Sequence, residues 1–534
     1  MRDRLLHARL PWLLFGAVLT GFTLIFTKLG FLEWITMIPL FIGAYRMAED
    51  GTVRPRRAYL YGFLTVLAYY LVVYHWFFYL YPLDFVGLDN AASLAVILAG
   101  WIGLSLLQAL PGGLVFLFFT LLHRTQAVWQ RPILKPFVFA ALWIVFEWSS
   151  TLSWTGVPWG RLCLGQIEYL PMLQSASLFG SYFISFLILA VNGLLAFALL
   201  YRPTLRRAIP CVAVAAAMVL GNLLLGIGIS ASPTPTKDSV RVAVVQGNIN
   251  SHEKWGPQSL EIAKRIYGTR TRLAAKDGAQ IVVWPETAFP YTLNRNQALS
   301  DYVSALAREC NVTLVVGALY SDADGNGYNA LYLVLPNGTI EKDIYAKRHL
   351  VPFGEYVPMR EVIAALIPPL ANLSALKTEL TQGEDPALLD TAHGSLGGLI
   401  CFDSIYEQLA IDSARDGAEV LVLSSNDSWF FDSAAIYQHE AQARLRAIEN
   451  GRYLVRAGNT GISTVVTDRG ETLVWIDALT EGHAVAEVEM KTNQTLYTTV
   501  GNLFVYACIA FLLAFPVMAA ASACRKRKEE KLLT

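Results

Sequence analysis

Charged side chains are scarce in this chain. They make up only 16% of its 534 residues, and 42 basic residues balance 42 acidic ones. A chain without net charge offers no broad attraction for a polyanion, so the composition indicates no nucleic-acid partner. Hydrophobic residues reach 54% and the mean hydropathy is +0.42, which is too apolar for a soluble protein. We expect the excess in membrane-spanning segments.

Cysteine is also scarce, with six residues in the whole chain. Three of them lie in or beside apolar segments, and three remain for the outer side of the membrane: Cys163, Cys310 and Cys401. Because three is odd, the pattern argues against a disulfide framework and predicts at least one free thiol. A free thiol in an oxidising compartment is expected to be either buried or functional.

About eight apolar stretches approach the roughly 20 residues that a helix needs to cross a hydrocarbon layer about 30 Å thick. They are 10–28, 31–46, 58–80, 92–122, 136–150, 172–200, 208–230 and 501–522. Lys and Arg cluster in every second loop, and such basic loops stay in the cytoplasm. This alternation predicts both termini in the cytoplasm and the segment 231–500 on the outer side. The first stretch lacks a small-residue cleavage site, so we expect a span and not a removed signal peptide.

From Ser239 onward, short β-branched runs alternate with polar helical stretches. Eight runs are predicted to be strands: 240–248, 280–286, 313–320, 330–338, 396–402, 419–427, 453–460 and 463–470. Four stretches are predicted to be helices: 257–275, 296–309, 403–416 and 433–450. This order favours a mixed α/β layered domain. Candidate site residues follow several of the runs, where layered folds present side chains to a cleft: Asn248, Glu286, Cys401 and Asn426.

The same segment carries an acid, an ammonium and a thiol that together suit covalent acyl chemistry: Glu286, Lys347 and Cys401. Cysteine attacks as the thiolate, which is a minor form at neutral pH. A buried carboxylate can take the proton, and a cation can stabilise both the thiolate and an oxyanion. Glu286 follows the apolar run IVVWP, which predicts such burial. Each residue alone is more often structural, so the hypothesis depends on their joint occurrence.

The sequence around these residues resembles the nitrilase (carbon-nitrogen hydrolase) superfamily over roughly 240–490, through the motifs VVWPET, YAKRHLVPFGEYVP, GGLICFDS and SSNDSWF. Within it, VAVVQGNI, PFGEYVP and VPWGRLCLGQ resemble the apolipoprotein N-acyltransferase family, its membrane branch. The resemblance implies a multi-span α-helical membrane domain plus an extramembrane α/β nitrilase-like domain, an α-β-β-α sandwich. The expected domains are 1–230 with about seven transmembrane helices, 231–497 for catalysis, and 498–534 for a final span and basic cytoplasmic tail.

The resemblance also implies a two-step acyl transfer. Cys401 would take an acyl chain from a membrane phospholipid, with phosphatidylethanolamine expected, and hold it as a thioester. The N-terminal amino group of diacylglyceryl-cysteine on an apolipoprotein would then receive it. We expect a monomer in the bacterial inner membrane, with the catalytic domain on the periplasmic side and with no cofactor, metal or nucleic acid.

The resemblance gives individual residues their expected roles. Glu286 would be the general base and acid, Lys347 the oxyanion stabiliser, and Glu355 a second acid that orients the lysine and takes part in the site. Four more residues are expected to bind substrate: Trp255, Asn329, Phe402 and Asp403. The last two stand where well-known members carry Tyr and Glu, so recognition of the headgroup or amine is predicted to differ.

Two alternatives stay open. A membrane-tethered nitrilase-type amidase would use the same triad with water as acceptor, and a non-catalytic scaffold would keep the fold alone. The number of spans favours a lipid substrate. So do three apolar segments that could cover the cleft or dip into lipid, unless they are ordinary helices and core: 288–292, 356–373 and 428–437.

Two carboxylates lie in or beside apolar stretches. Glu147, in LWIVFEWSS, stands near the end of a span. A carboxylate there is costly and often functional, and we expect it to reach water at the interface. Glu33, close to Lys28, is expected to be structural.

Overall fold

The computed structural model describes residues 9–83, 88–125, 128, 130–201, 205–250, 254, 256, 258–366 and 379–533. The chain forms two compact units. The first comprises Met1–His75, Leu98–Ala231 and Asn502–Thr534, and the second comprises Trp76–Ile97 and Ser232–Gly501.

The first part of the chain and its last segment are helical. The helices are α1 (Leu10–Ile25), α2 (Glu33–Thr36), α3 (Ile38–Glu49), α4 (Pro55–Val73), α5 (Asn90–His123), α6 (Lys135–Ser149), α7 (Leu170–Leu173), α8 (Ala176–Phe179), α9 (Ser181–Tyr201) and α10 (Leu205–Ala231), with the last helix at Leu503–Leu533.

Six helical stretches among the described residues are long and apolar enough to cross a membrane: Thr27–Glu49, Asn90–His123, Pro132–Ser149, Ser181–Tyr201, Ala208–Ala231 and Leu503–Ala521. They coincide with six of the eight predicted spans. The other two, 10–28 and 58–80, correspond to α1 and α4, which have 16 and 19 residues. The chain is a membrane protein.

The first unit buries two carboxylates. Glu33 accepts hydrogen bonds from Gln166 Nε2 at 2.8 Å and Thr23 Oγ1 at 3.2 Å. Glu147 is 3% exposed and accepts from the Leu162 amide at 3.0 Å and Trp143 Nε1 at 3.2 Å. The expectation that Glu147 reaches water is therefore wrong, because protein donors replace the water that a carboxylate otherwise needs.

The second unit contains two sheets. The first has seven strands, in the order β13-β1-β2-β4-β5-β6 with β3 paired to β4. They are β1 (Thr236–Gln246), β2 (Ile281–Val283), β3 (Phe289–Thr292), β4 (Thr313–Ser321), β5 (Gly327–Val334), β6 (Tyr345–Ala346) and β13 (Gly482–Lys491). The second has the order β12-β11-β10-β9-β8-β7. Its strands are β7 (Leu388–Thr391), β8 (Gly394–Ile400), β9 (Val420–Ser425), β10 (Tyr453–Gly458), β11 (Ser463–Val466) and β12 (Thr472–Ile476).

Helices cover the outer faces of both sheets. They are α11 (Ser259–Lys276), α12 (Gln297–Cys310), α14 (Glu407–Arg415) and α15 (Ala434–Asn450). Two shorter helices of this unit are α13 (Arg360–Leu366) and α16 (Leu496–Val500), and the last helix of the chain, in the first unit, is α17. Helices α11 and α12 pack on the first sheet, and α14 and α15 pack on the second. Valine, leucine and isoleucine side chains from both sheets fill the space between them. The result is the predicted α-β-β-α sandwich.

The three apolar segments that could cover the cleft differ in structure and in exposure. Segment 288–292 contains β3, and its Phe289 is fully buried in the core, so the interpretation as a cover is wrong there. Segment 356–373 lies partly outside the described residues, and its Met359 and Val362 are exposed. Segment 428–437 leads into α15 and exposes Phe431 and Tyr437.

Candidate active site

The carboxyl ends of parallel strands carry the candidate residues. Strand β2 runs parallel to β1 and β4 and ends just before Glu286. Strand β8 runs parallel to β9, and β9 to β10. Cys401 follows β8 directly, and the charge of Glu286 acts on its thiol. The fold thus brings together residues that are far apart in the sequence, at the edge where layered α/β folds bind ligands.

A buried ammonium lies between two carboxylates. Lys347 is 1% exposed, and its Nζ lies 3.0 Å from Glu286 Oε1 and 3.0 Å from the Glu355 carboxylate. Burial alone lowers the pKa of Lys347, but the charges of Glu286 and Glu355 raise it well above its ordinary value. The lysine therefore stays charged, as a cation near a developing oxyanion must.

Asn329 joins the same two carboxylates. Its Nδ2 donates to Glu286 Oε1 at 2.7 Å and to Glu355 Oε1 at 3.0 Å. The Val351 amide donates to Glu355 Oε2 at 2.9 Å. Within the described part of the chain, no hydrogen bond reaches Oε2 of Glu286, so this oxygen is available to take a proton.

Cys401 has an unusual backbone conformation. Its φ is 48°, in the left-handed region that non-glycine residues rarely adopt. Strand β8 ends at Ile400, and the 3₁₀ turn Cys401–Ile405 begins at once. This abrupt change takes the thiol out of the line of the strand. Strain of this kind clusters at functional sites, where the surrounding structure maintains it.

Asp403 holds this turn in place. Its carboxylate accepts hydrogen bonds from the Ile400 amide at 2.9 Å, the His349 amide at 2.8 Å and the Tyr345 hydroxyl at 2.9 Å. Burial raises the pKa of Asp403 to about 6. These contacts connect the turn at Cys401 to the segment that carries Lys347. Asp403 is fully buried, so this geometry favours a supporting role over its expected substrate-binding role.

The surroundings of Cys401 favour the protonated thiol. Burial raises its pKa, and the charge of Glu286 raises it further, while Lys347 lowers it. A thiol held in this form needs a base before it can attack. Its neighbour Phe402 is half-buried, and its ring centroid lies 5.4 Å from that of Tyr406.

Lys254 is a second buried ammonium at the site, and the sequence did not single it out. Its Nζ donates to the backbone carbonyl of Glu286 at 2.9 Å. Burial lowers the pKa of Lys254 to about 8, against the opposing effect of Glu286 and Cys401. The available signal was its place in the KW pair that follows VAVVQGNI. Trp255, the other member of the pair, lies outside the described residues.

Three further residues missed by the sequence analysis lie behind Cys401: Asp427 after β9, His439 in α15 and Arg456 in β10. Single atoms of Cys401, Asp427 and His439 lie within 4.8 Å of one another, a spacing compatible with a metal ion. However, Arg456 Nη2 already pairs with Asp427 at 2.7 Å. A guanidinium on the same carboxylate opposes a second cation, so we assign these groups to a hydrogen-bonded network.

Two family models match the chain: the carbon-nitrogen hydrolase at residues 241–497 and the apolipoprotein N-acyltransferase N-terminal domain at residues 16–194. The apolipoprotein N-acyltransferase of Geobacter metallireducens is 32% identical over 490 residues, which cover 90% of this chain and 89% of that protein. That of Gloeobacter violaceus is 31% identical over 487 residues, which cover 91% and 89%.

Among solved structures, Saccharomyces cerevisiae Nit3, a member of branch 10 of the nitrilase superfamily, aligns with 51% of this chain and 97% of its own. The sequence identity is 22% and the TM-score is 0.39. The relatives, by contrast, match along nearly the whole chain, across the helical region and the sandwich alike. The chain therefore belongs to the apolipoprotein N-acyltransferase family.

Proposed function

We propose that this chain transfers an acyl chain from a membrane phospholipid to the N-terminal amino group of diacylglyceryl-cysteine on apolipoproteins, through a thioester on Cys401. The observation that carries the proposal is the buried cluster of Glu286, Lys347 and Glu355 beside the strained Cys401. A base, a permanent cation and a thiol in one desolvated site are the groups that acyl transfer through cysteine requires.

In the first step, Oε2 of Glu286 takes the thiol proton and Sγ of Cys401 attacks the ester carbonyl. The carbonyl electron pair moves to oxygen, where the ammonium of Lys347 stabilises it. When the tetrahedral intermediate collapses, the C–O bond breaks and the leaving alkoxide takes the proton back from Glu286. The products are a thioester and a lysophospholipid.

In the second step, the free amine of the acceptor attacks the thioester. Glu286 accepts a proton from the amine nitrogen, and the collapsing intermediate expels the Cys401 thiolate. The proton on Glu286 returns to the thiolate, which restores the resting thiol and leaves the acyl chain in an amide. Glu355 and Asn329 hold the Glu286 and Lys347 side chains in register through both steps.

The membrane setting supports a lipid as acyl donor, and it supports a lipid-tethered amine over water as acyl acceptor. An ester in the bilayer and an amine tethered by its own lipid are both confined to the surface, which raises their effective concentration at the site. The thioester must also be shielded from water, since hydrolysis would compete. Exposed apolar side chains in the segments that flank Glu355 and follow Asp427 suit contact with lipid: Phe353, Met359, Val362 and Phe431.

The finer assignments belong to the same proposal. Phosphatidylethanolamine is the expected donor, and the enzyme acts as a monomer. Lys and Arg cluster in every second loop between the spans, and this alternation supports a bacterial inner membrane protein with its catalytic domain on the periplasmic side. Trp255 and Phe402 remain the proposed substrate contacts.

The direct test is to incubate the purified protein with phosphatidylethanolamine that carries an acyl chain of known mass. We expect an adduct of that mass on the peptide containing Cys401, and none in C401A. C310A is the matched control, because Cys310 is another free thiol of the second unit and its loss should leave the adduct unchanged.

Addition of a diacylglyceryl-cysteine peptide should then discharge the adduct and give an N-acyl peptide, while an N-acetylated peptide should leave it intact. Cleavage of simple amides with no adduct on Cys401 would overturn the transferase and support the amidase. A folded C401A variant with full activity would exclude the mechanism altogether.

A further inference from the structure

A largely apolar groove opens in the helical unit, between α6, α9 and α10. It has a volume of about 790 Å³, within the roughly 300–1,000 Å³ of sites for small molecules. All candidate catalytic residues belong to the second unit, so the groove is a separate feature of the first. It is named the α10 groove after the helix that supplies most of its lining, which includes Phe137 from α6, Leu194 from α9 and four residues of α10: Arg206, Pro210, Cys211 and Val214.

The α10 groove begins at the level where a membrane changes from headgroups to hydrocarbon. The part of α10 that is long and apolar enough to span the membrane begins at Ala208, just after Arg206. Val214 lies two helical turns further on, which is about 12 Å from Arg206 along the helix axis. The groove therefore runs from the headgroup level into the hydrocarbon layer, and its charged side chain stands at the headgroup end.

A small apolar core closes the α10 groove on the protein side. Val191, Leu194 and Ala215 are buried together, and Phe137 packs against them. On the other side the groove is open, because the Val214 side chain at its wall is 47% exposed. In a membrane-spanning helix, such an exposed valine faces lipid and not water. The groove thus has a packed apolar floor and an entrance from the bilayer.

The charges in the chain segments that form the α10 groove are all positive. Arg206 is exposed, and it belongs to the sequence RPTLRR at 202–207, which contains three arginines. The sequence has no Asp or Glu from 90 to 146 or from 169 to 237, so no carboxylate of these segments neutralises Arg206. A guanidinium presents a planar set of N–H donors that matches a phosphate. The groove therefore complements a ligand with an anionic head and an apolar tail.

We propose that the α10 groove binds an anionic phospholipid. Its phosphate accepts hydrogen bonds from the Arg206 guanidinium, and one acyl chain lies along Phe137, Leu194 and Val214. Basic pockets between membrane helices recognise anionic headgroups in this way. In the proposed orientation, the basic loops place this end of the helices on the cytoplasmic side, so the lipid belongs to the cytoplasmic leaflet. The inference goes beyond the proposed function, because this lipid site takes no part in acyl transfer.

The test uses phosphatidylglycerol with a photoreactive diazirine in one acyl chain. The purified full-length protein in detergent micelles is titrated with this probe, illuminated and digested, and the label on peptides from α6, α9 and α10 is measured by mass. Unlabelled phosphatidylglycerol should displace the probe. Phosphatidylcholine, which has no net charge, should displace it about fivefold less well, the effect of one basic residue near an anionic headgroup. Equal displacement by the two lipids would overturn the proposal, because the groove would then be an ordinary lipid-facing surface.

Two matched pairs of variants locate the site. R206Q should raise the probe concentration needed for half-maximal labelling about tenfold, because it removes charge-assisted hydrogen bonds to the phosphate. R56Q removes an exposed arginine of another basic loop and should leave this concentration unchanged. V214W should fill the groove and abolish the label, whereas V212W changes a similarly exposed residue of the same helix outside the lining and should retain it.

Equal effects of R206Q and R56Q would overturn the proposal in favour of general surface charge. Labelling that persists in folded V214W would exclude an acyl chain in the groove. The competition between the two lipids uses only the wild-type protein, so it decides the question even if a variant does not fold. The acyl-adduct experiment on Cys401 is independent of all these measurements, and its failure would leave the lipid site standing.

Discussion

Glu286 acts on Cys401 in two opposite ways. Its negative charge raises the pKa of the thiol, which holds the resting nucleophile in its unreactive form. The same carboxylate is the group that removes the proton when substrate is bound. Neutralising Glu286 removes both the charge and the base. The two losses can be told apart, because the first changes the acidity of the thiol and the second changes the rate of acyl transfer.

E286Q should therefore make Cys401 more acidic and the enzyme less active. Loss of the carboxylate also frees the Lys347 charge from its partner at 3.0 Å, which lowers the pKa of the thiol further. We expect faster iodoacetamide alkylation of Cys401 at pH 8 and slower acyl transfer, by roughly 10²- to 10⁴-fold. E309Q, at an exposed pair with Arg272, is the control. Slower alkylation in E286Q would contradict this electrostatic account.

The Lys254 ammonium should give the first step an alkaline limit. Its pKa of about 8 means that the charge is present below pH 8 and lost above it. Because this charge favours the thiolate, adduct formation in the wild type should decline as pH rises through 8. K254M should lack that decline and react about tenfold more slowly at pH 7, the effect of one pKa unit.

The pH profile of adduct formation, measured for wild type, K254M and K264M, checks this expectation. Lys264 pairs with Glu261 on the surface of α11, so K264M should keep the wild-type profile. An alkaline decline that survives in K254M would assign it to another group.

Single residues could be predicted from the sequence where a motif surrounds them. Glu286, Lys347 and Glu355, which the resemblance assigned to one site, lie together. Asn329, which was expected to bind substrate, donates hydrogen bonds to the two carboxylates. Lys254 and the network at His439 could not be placed, because their chemistry depends on burial and on partners from other strands. His439, for instance, lies 12 positions from Asp427 and 38 from Cys401, spacings that no local period produces.

At the level of elements, Gly317 in strand β4 packs closely against the backbone of the turn that carries Glu286. A Cβ added at Gly317 would lie 2.2 Å from the Pro285 carbonyl oxygen and 3.0 Å from the Glu286 Cα. Both of these are backbone atoms that cannot move away as a side chain would. The glycine thus allows a close approach that positions the base.

G317A should displace Glu286 and reduce acyl transfer by roughly 10²-fold, since small errors in catalytic geometry are costly. G327A is the matched control on the adjacent strand, where a Cβ would meet only Leu380 Cδ2 at 3.6 Å. Rates of adduct formation and melting temperatures of both variants separate misplacement from unfolding. Equal rates in the two variants would show that the turn tolerates the added methyl group.

The sequence predicted elements well where the apolar runs were continuous. All eight predicted strands and all four predicted helices of the sandwich are present. Strand β13 was missed although its apolar and charged residues alternate, a period that is readable in advance. Strand β6 has two residues and no period at all, so only its pairing with β5 reveals it.

At the level of the whole molecule, the apolar pattern does not show which segments join which unit. Trp76–Ile97 includes the end of one predicted span and the first residues of α5, but it belongs to the second unit. There the ring centroid of Trp76 lies 5.0 Å from that of Phe430. Contacts between such distant positions follow from folding in three dimensions, which a one-dimensional reading of hydropathy cannot give.

The proposed orientation in the membrane predicts opposite labelling of two exposed loop positions. Thr52 lies in a basic loop and Ser153 in a loop with little positive charge, and both are exposed. In spheroplasts, a membrane-impermeant maleimide should label S153C, while T52C should react only after permeabilisation. Labelling of T52C in sealed spheroplasts would reverse the assignment, and wild type controls for the native thiols.

The left-handed backbone at Cys401 recurs beside the other reactive groups. Thr287 has φ 43° and Phe353 has φ 63°, next to Glu286 and close to Glu355. Glycine or asparagine would adopt this conformation with less steric strain at each of these positions. Selection for thermal stability alone would therefore favour substitution of these residues. Because such substitutions can reduce activity, directed evolution of this protein should measure turnover at every round.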